Sequence, residues 1–159
     1  MKIVVGISDM KVSNKPGDVL VTYSLGSCIG VVLWDPVAKV GGLLHYMLPD
    51  SSLDKDKAQD KPFMFADSGI PRLFKETYKF GAEKSRLVVK VVGGSQIMDD
   101  AGVFNIGKRN YMVLRKIFWK NKIMITKEDV GGTANRTVSL DVATGVVHLK
   151  TSDSGEFDL

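Results

Sequence analysis

Val21-Thr-Tyr-Ser-Leu-Gly-Ser-Cys28-Ile-Gly-Val-Val-Leu-Trp34 decides how this chain is read. It contains the only cysteine of the 159 residues, set after a Gly-Ser break and just before a β-branched apolar run. Ile29 to Trp34 is short, continuous and apolar, the pattern of a buried strand. Asp35-Pro36 supplies turn chemistry, with Asp at the first position and Pro at the second. A return strand follows in Val40-Gly-Gly-Leu-Leu-His45-Tyr-Met-Leu48, which carries one of only two histidines. With the turn centred near Pro36-Val37, opposed residue numbers sum to about 73, which sets Cys28 across from His45.

Outward from this hairpin the chain reads as strands, then strand and helix units, then strands. Ile3 to Ile7 and Val19 to Thr22 are strand-like, separated by the Lys15-Pro-Gly-Asp18 turn. Pro49 to Pro62 is polar and is expected to be the longest loop, leaving directly from the His45 strand. Phe63 to Phe80 has helical spacing and stops at Gly81; Pro71 either kinks it or marks its first turn, with Ser68 as cap. Leu87 to Val92 is a strand ended by Gly93-Gly94. Asn105 to Asn121 is a second helix with Asn105 as its cap and an apolar stripe of Ile106, Tyr111, Val113, Leu114, Ile117 and Phe118. Ile123 to Glu128 is a strand before Gly131-Gly132, and Thr137 to Val142 with Val146 to Lys150 make a closing hairpin. The tail from Thr151 is expected to fray. The result is a mixed α/β (α+β) layout, one domain over 1–159, with two long helices and about seven to eight mostly antiparallel strands.

Composition narrows the function classes. Apolar content of 44% and charged content of 25% are those of a globular protein. No run approaches membrane-spanning length, and the N-terminus reads as a strand and not a signal peptide, so a cytoplasmic location without membrane insertion is expected. One cysteine excludes an internal disulfide and a zinc site built mainly from thiolates, and with only two histidines besides, a tetrahedral N/S metal site is not expected. No cofactor is expected. The net charge is +4, with Lys84, Arg86, Lys90, Lys108, Arg109, Lys116, Lys120 and Lys122 spread along the sequence. They read as a solvated surface and not as a nucleic-acid site. Asn135-Arg-Thr137 matches a glycosylation sequon, which matters only in a secreted protein. Gly102 to Arg109 resembles a phosphate-binding loop, but Arg109 stands where Ser or Thr is needed and no strand immediately precedes it, so that reading is rejected.

What remains is a thiol and an imidazole on neighbouring strands. A lone Cys is most often a small buried hydrophobe, and a His among apolar residues is most often a satisfied core residue. Their mutual placement favours chemistry: Cys28 as nucleophile, His45 as the base that takes its proton, and Thr22 as the hydroxyl that orients the imidazole. Gly26 and Ser27 form the tight turn that frees the Cys28 backbone N–H to face a ligand, a substrate and oxyanion position. Gly93-Gly94 and Gly131-Gly132 each end a strand, either as turn geometry alone or as loops that converge on a site; Arg136 and Asp129 flank the second pair as candidates for a structural ion pair. His148 receives no role.

The chain resembles the CheD family, the chemoreceptor glutamine deamidases of bacterial chemotaxis. The resemblance covers almost the whole chain. It rests on Thr22-x3-Gly26-Ser27-Cys28, Gly41-Gly42-x-x-His45-x-Met47-Leu48-Pro49, Gly93-Gly94-x3-Met98, Asn105-Ile106-Gly107-x-Arg109-Asn110 and Asp129-x-Gly131-Gly132-x3-Arg136. Tyr23-Ser24 is the one local departure. The resemblance implies a cysteine hydrolase that converts receptor glutamines to glutamates, with Cys28 as nucleophile, His45 as general base and Thr22 as third member. It implies a layered α/β/β fold similar to that of a bacterial toxin deamidase. It also implies two partners: the cytoplasmic region of methyl-accepting chemotaxis receptors, and CheC, a phosphatase of the response regulator CheY. Two other readings are a regulatory binding module with little catalysis and a cysteine peptidase.

Overall fold

The structure, a computed structural model, describes residues 1–96 and 105–159. Met98 and the Gly102–Phe104 end of the rejected phosphate-loop match lie outside the described residues.

Two five-stranded sheets stack under a layer of helix. The outer sheet holds β1 (Lys2–Val4), β3 (Val19–Leu25), β8 (Arg136–Asp141), β9 (Val147–Thr151) and β10 (Gly155–Asp158), in the order β1-β3-β8-β9-β10. The central sheet runs β2-β5-β4-β6-β7, from β2 (Asp9–Ser13), β5 (Val40–Tyr46), β4 (Ile29–Asp35), β6 (Val88–Gly93) and β7 (Lys127–Val130). All pairings between these strands are antiparallel except β1 with β3 and β6 with β7. The long helices α2 (Ala66–Lys79) and α3 (Ile106–Lys120) cover the far face of the central sheet.

This layering explains why β4 and β5 are apolar without alternation: both of their faces are buried. Ile29, Val31, Leu33, Leu44 and Tyr46 pack toward the helices with Ile70, Leu73, Leu114 and Phe118. Val32 and Leu43 point the other way and meet Leu20, Val138, Leu140 and Leu149 of the outer sheet. Cys28 packs against this second cluster, so the thiol lies at the seam between the sheets.

Several expectations are corrected. The first expected strand, Ile3 to Ile7, is only β1, Lys2–Val4; past Ser8, at φ 60°, follows β2, a strand the sequence reading did not expect, which pairs with β5. The segment 49–62 is not a structureless loop. It contains a 3-10 turn at Ser51–Leu53 and a short helix α1 (Lys55–Asp60), capped by the Asp50 and Asp54 carboxylates. Such caps are local side chain to backbone bonds that polar composition hides. Helix α2 begins at Ala66 after Phe65, with Pro71 inside it, and Ser68 is not its cap; the Ser68 hydroxyl donates to the Pro62 carbonyl. Residues Ile123 and Ile125 pack into the helix side of the core before β7 begins at Lys127. The tail does not fray: β10 pairs with β9, and Leu159 N–H donates to the Val147 carbonyl at 2.8 Å. Basic residues that look scattered in sequence gather on the outer face of α3, where Lys108, Arg109, Arg115, Lys116 and Lys120 are exposed beside Trp119.

Candidate active site

The β4–β5 hairpin sets the geometry. Its last pair at the turn is Asp35 with Val40, leaving Pro36 to Lys39 as a four-residue connection. Asp35 holds this turn: its carboxylate accepts from Val37 and Ala38 N–H, and its carbonyl accepts from Lys39 N–H, with Lys39 at φ 55°. Opposed numbers therefore sum to 75, and His45 faces Gly30. Cys28 is not directly across from His45, as the shorter turn predicted, but is its diagonal neighbour on the same face. Diagonal pairs stand about 7–8 Å apart at Cα, within the reach of an imidazole.

His45 is fully buried. Its Nδ1 lies 2.7 Å from the Thr22 hydroxyl, which donates to the Val5 carbonyl at 2.8 Å. A hydroxyl has one proton, and a carbonyl can only accept. The Thr22 proton therefore goes to Val5, and Nδ1 carries the hydrogen that Thr22 accepts. That leaves the Nε2 lone pair free, and Nε2 has no hydrogen-bond partner in the structure. Thr22 and Val5 belong to the outer sheet and its β1 edge, His45 and Cys28 to the central sheet, so the arrangement spans the seam. Just beyond Thr22 the β3–β8 ladder shifts register, with Ser24 at φ 57°. This is a bulge at Tyr23-Ser24.

Burial raises the Cys28 thiol to about 11, against a smaller lowering by its own backbone N–H. Burial lowers the His45 imidazole to about 4. Both groups are therefore neutral at pH 7: the resting site is a thiol beside an imidazole, not a thiolate–imidazolium pair.

The loop that carries Cys28 is braced from three sides. Gly94 N–H donates to the Cys28 carbonyl and Ser95 N–H to the Gly26 carbonyl, both at 2.9 Å. Gly93 has φ 106°, and a Cβ there would lie 2.2 Å from the Cys28 carbonyl oxygen, so only glycine lets these backbones meet. Gly107 is equally constrained: a Cβ would lie 2.3 Å from the Ser95 carbonyl oxygen, so α3 seats directly on the Gly94-Ser95 backbone that holds the Cys28 loop. Arg136 ties the back, pairing with Asp129 at 2.9 Å and donating to the carbonyls of Gly93 and Gly131 and to the Ser95 hydroxyl. The Asp129–Arg136 pair is thus structural, as expected. Sequence reading quoted Asn110 in a motif but gave it no role; it is fully buried on α3, and its Nδ2 donates to the carbonyls of Ser27 at 2.9 Å and Met47 at 2.8 Å. A polar Asn inside an apolar helix stripe was the available signal. His148, given no role, sits between Asp158 at 2.9 Å and Glu156 at 3.1 Å on β10, far along the other sheet. Among the described residues no cluster of His, Cys, Asp and Glu could hold a metal ion.

Comparison with known proteins shows the family. A family model described as CheD chemotactic sensory transduction matches residues 47–151. The chain is 59% identical over 150 residues to a probable chemoreceptor glutamine deamidase CheD 1 of Syntrophus aciditrophicus, covering 94% of each chain.

The chain belongs to the CheD family.

Another CheD relative, from Solibacter usitatus, is 49% identical over 149 residues, covering 94% of this chain and 88% of its own. A CheD protein of Thermococcus kodakarensis is 37% identical over 158 residues, covering 98% of this chain and 96% of its own. Both carry the name probable chemoreceptor glutamine deamidase. The family model begins beyond Cys28 and His45, whereas these relatives align over nearly the full CheD chain. No helix among the described residues is long and apolar enough to cross a membrane.

Proposed function

We propose that this CheD protein is a cysteine-dependent deamidase of chemoreceptor glutamines. The observation that carries the reading is the Thr22–His45 bond, which leaves the unprotonated Nε2 on the face shared with Cys28. As substrate enters, Cys28 Sγ passes its proton to His45 Nε2 and attacks the glutamine side-chain carbonyl carbon. Charge develops on the carbonyl oxygen, and the Cys28 backbone N–H, in the Gly26-Ser27 turn, is the donor placed to receive it. The imidazolium returns the proton to the amide nitrogen, ammonia leaves, and a thioester remains. Water, losing a proton to the same Nε2, attacks the thioester; the thiol is regenerated and glutamate is released. The neutral resting pair suits this route, because the proton moves only once a substrate dipole is present to stabilise the ion pair.

Mass spectrometry of a receptor cytoplasmic fragment tests the reading. Wild-type protein is expected to give the amide-to-acid mass gain at glutamines, and Cys28→Ala none. His45→Ala should lower the rate by roughly 10²–10⁴-fold, the contribution of a general base, and Thr22→Ala by less. Cleavage of the fragment would indicate a peptidase instead. An unmodified fragment that still binds the protein would indicate a regulatory module. Family membership also supports a CheC-type phosphatase as a binding partner. Co-elution of the two purified proteins tests that, and separate elution at micromolar concentration would contradict it.

A further inference from the structure

We propose that Asn110 is a positioning residue for the nucleophile: its side-chain amide aims the Cys28 backbone N–H into the site and fixes Cys28 relative to His45. This rests on the reading of Cys28 and His45 given above. The β4–β5 ladder ends at Ile29 with Tyr46. The next rung, by the same register, would join Cys28 to Met47, but β5 turns away there and Met47 N–H donates to Met64 instead. No strand bond therefore holds the peptide that precedes Cys28. Asn110 supplies the missing tie from the helix layer. Both hydrogens of its Nδ2 are used, one on the Ser27 carbonyl just before the nucleophile, the other on the Met47 carbonyl two residues after the base.

The consequence follows from peptide geometry. In a planar trans peptide the C=O and the N–H point in opposite directions. With the Ser27 carbonyl drawn toward α3, the Cys28 N–H must point away from α3, to the side of the sheet where His45 and the seam lie. The Cys28 carbonyl is held separately by Gly94 N–H at 2.9 Å, so the peptides on both sides of the nucleophile are fixed. Asn110 is itself held, since its backbone carbonyl accepts from the buried Tyr46 hydroxyl at 2.7 Å, and the helix start is seated through Gly107. A buried amide that bridges two loops is a stronger constraint than either loop provides alone.

Asn110→Leu keeps the heavy-atom count and branching of the side chain, though it is bulkier, and removes both donors. Deamidation kinetics are expected to show KM within about twofold of wild type and kcat lower by roughly 10²-fold, the cost of a misaimed oxyanion donor or an ångström of misplacement. Alkylation of Cys28 by iodoacetamide across pH gives a second readout that needs no receptor. Losing the N–H that favours the thiolate should move the profile to higher pH, whereas simple loosening of the loop would hydrate the thiol and move it lower. Asn110→Gln, which keeps the amide, should recover part of kcat. A folded Asn110→Leu with wild-type kcat, or with an alkylation profile moved to lower pH, would overturn the proposal. If Asn110→Leu does not fold, Tyr46→Phe releases the Asn110 carbonyl; a smaller kcat loss of the same pattern is expected, and an unchanged kcat would overturn it. Deamidation that persists in Cys28→Ala would instead remove the reading of the site and leave the alkylation result standing.

Discussion

At the scale of single residues, the site is a study in burial. Cys28 and His45 are displaced in opposite directions by the same cause, loss of water around the charged form. Iodoacetamide alkylation of the free protein should therefore be slow at pH 7 and keep rising toward pH 11; a plateau by pH 9 would mean that the thiol is already activated at rest. Stability should carry the mark of His45. Its folded value near 4 lies below the unfolded value of 6.5, so the unfolded chain takes up the proton first as pH falls. Stability is unaffected above 6.5 and declines between 6.5 and 4, by about 3 kcal/mol if the full difference is expressed. Urea unfolding of wild type and His45→Leu across that window checks this, and the variant should lack the component. The meeting of Thr22 with His45 was legible in the sequence because chemistry restricts residue types. The Val5 carbonyl that fixes the imidazole tautomer was not, because any residue could supply it.

The deciding element is the hairpin. Its existence and the pairing of the two strands were legible from Asp35-Pro36 between apolar runs. Its register was not, because the turn length depends on Asp35 as a side-chain acceptor, which the sequence does not distinguish from an ordinary turn Asp. Asp35 is completely buried, takes backbone N–H bonds from Val37, Ala38 and Glu83, and pairs with Arg86 at 2.9 Å. Burial by itself would raise its carboxyl, but these donors, Arg86 first, hold it well below the usual carboxylate range. Asp35→Ala leaves the buried N–H groups without an acceptor and the guanidinium without its partner. A loss of about 3 kcal/mol in chemical denaturation is expected, and a change under 1 kcal/mol would contradict this role. Helix α3 makes the same point from the other side. Its apolar stripe predicted where it packs, but not that Asn110 within the stripe reaches across to two strand-end carbonyls.

For the whole molecule, the two-sheet, one-helix-layer plan explains why the site is where it is. The central sheet brings the thiol and the imidazole, the outer sheet brings the hydroxyl, and the helix layer braces the Cys28 loop from behind. Composition and strand count pointed to a mixed fold, and the family resemblance supplied the layering. The short helix after β5 and the last strand escaped the sequence reading, since the first depends on aspartate caps and the second on pairing with a distant neighbour. The most direct measurement of the central claim is the intact mass of the protein, acid-quenched during turnover of a glutamine-bearing receptor peptide. The account predicts a transient adduct on Cys28 equal to the peptide less one ammonia, cleaved by hydroxylamine and missing in Cys28→Ala. Deamidated peptide accumulating through repeated turnovers with no such adduct, or with full activity in Cys28→Ala, would contradict it.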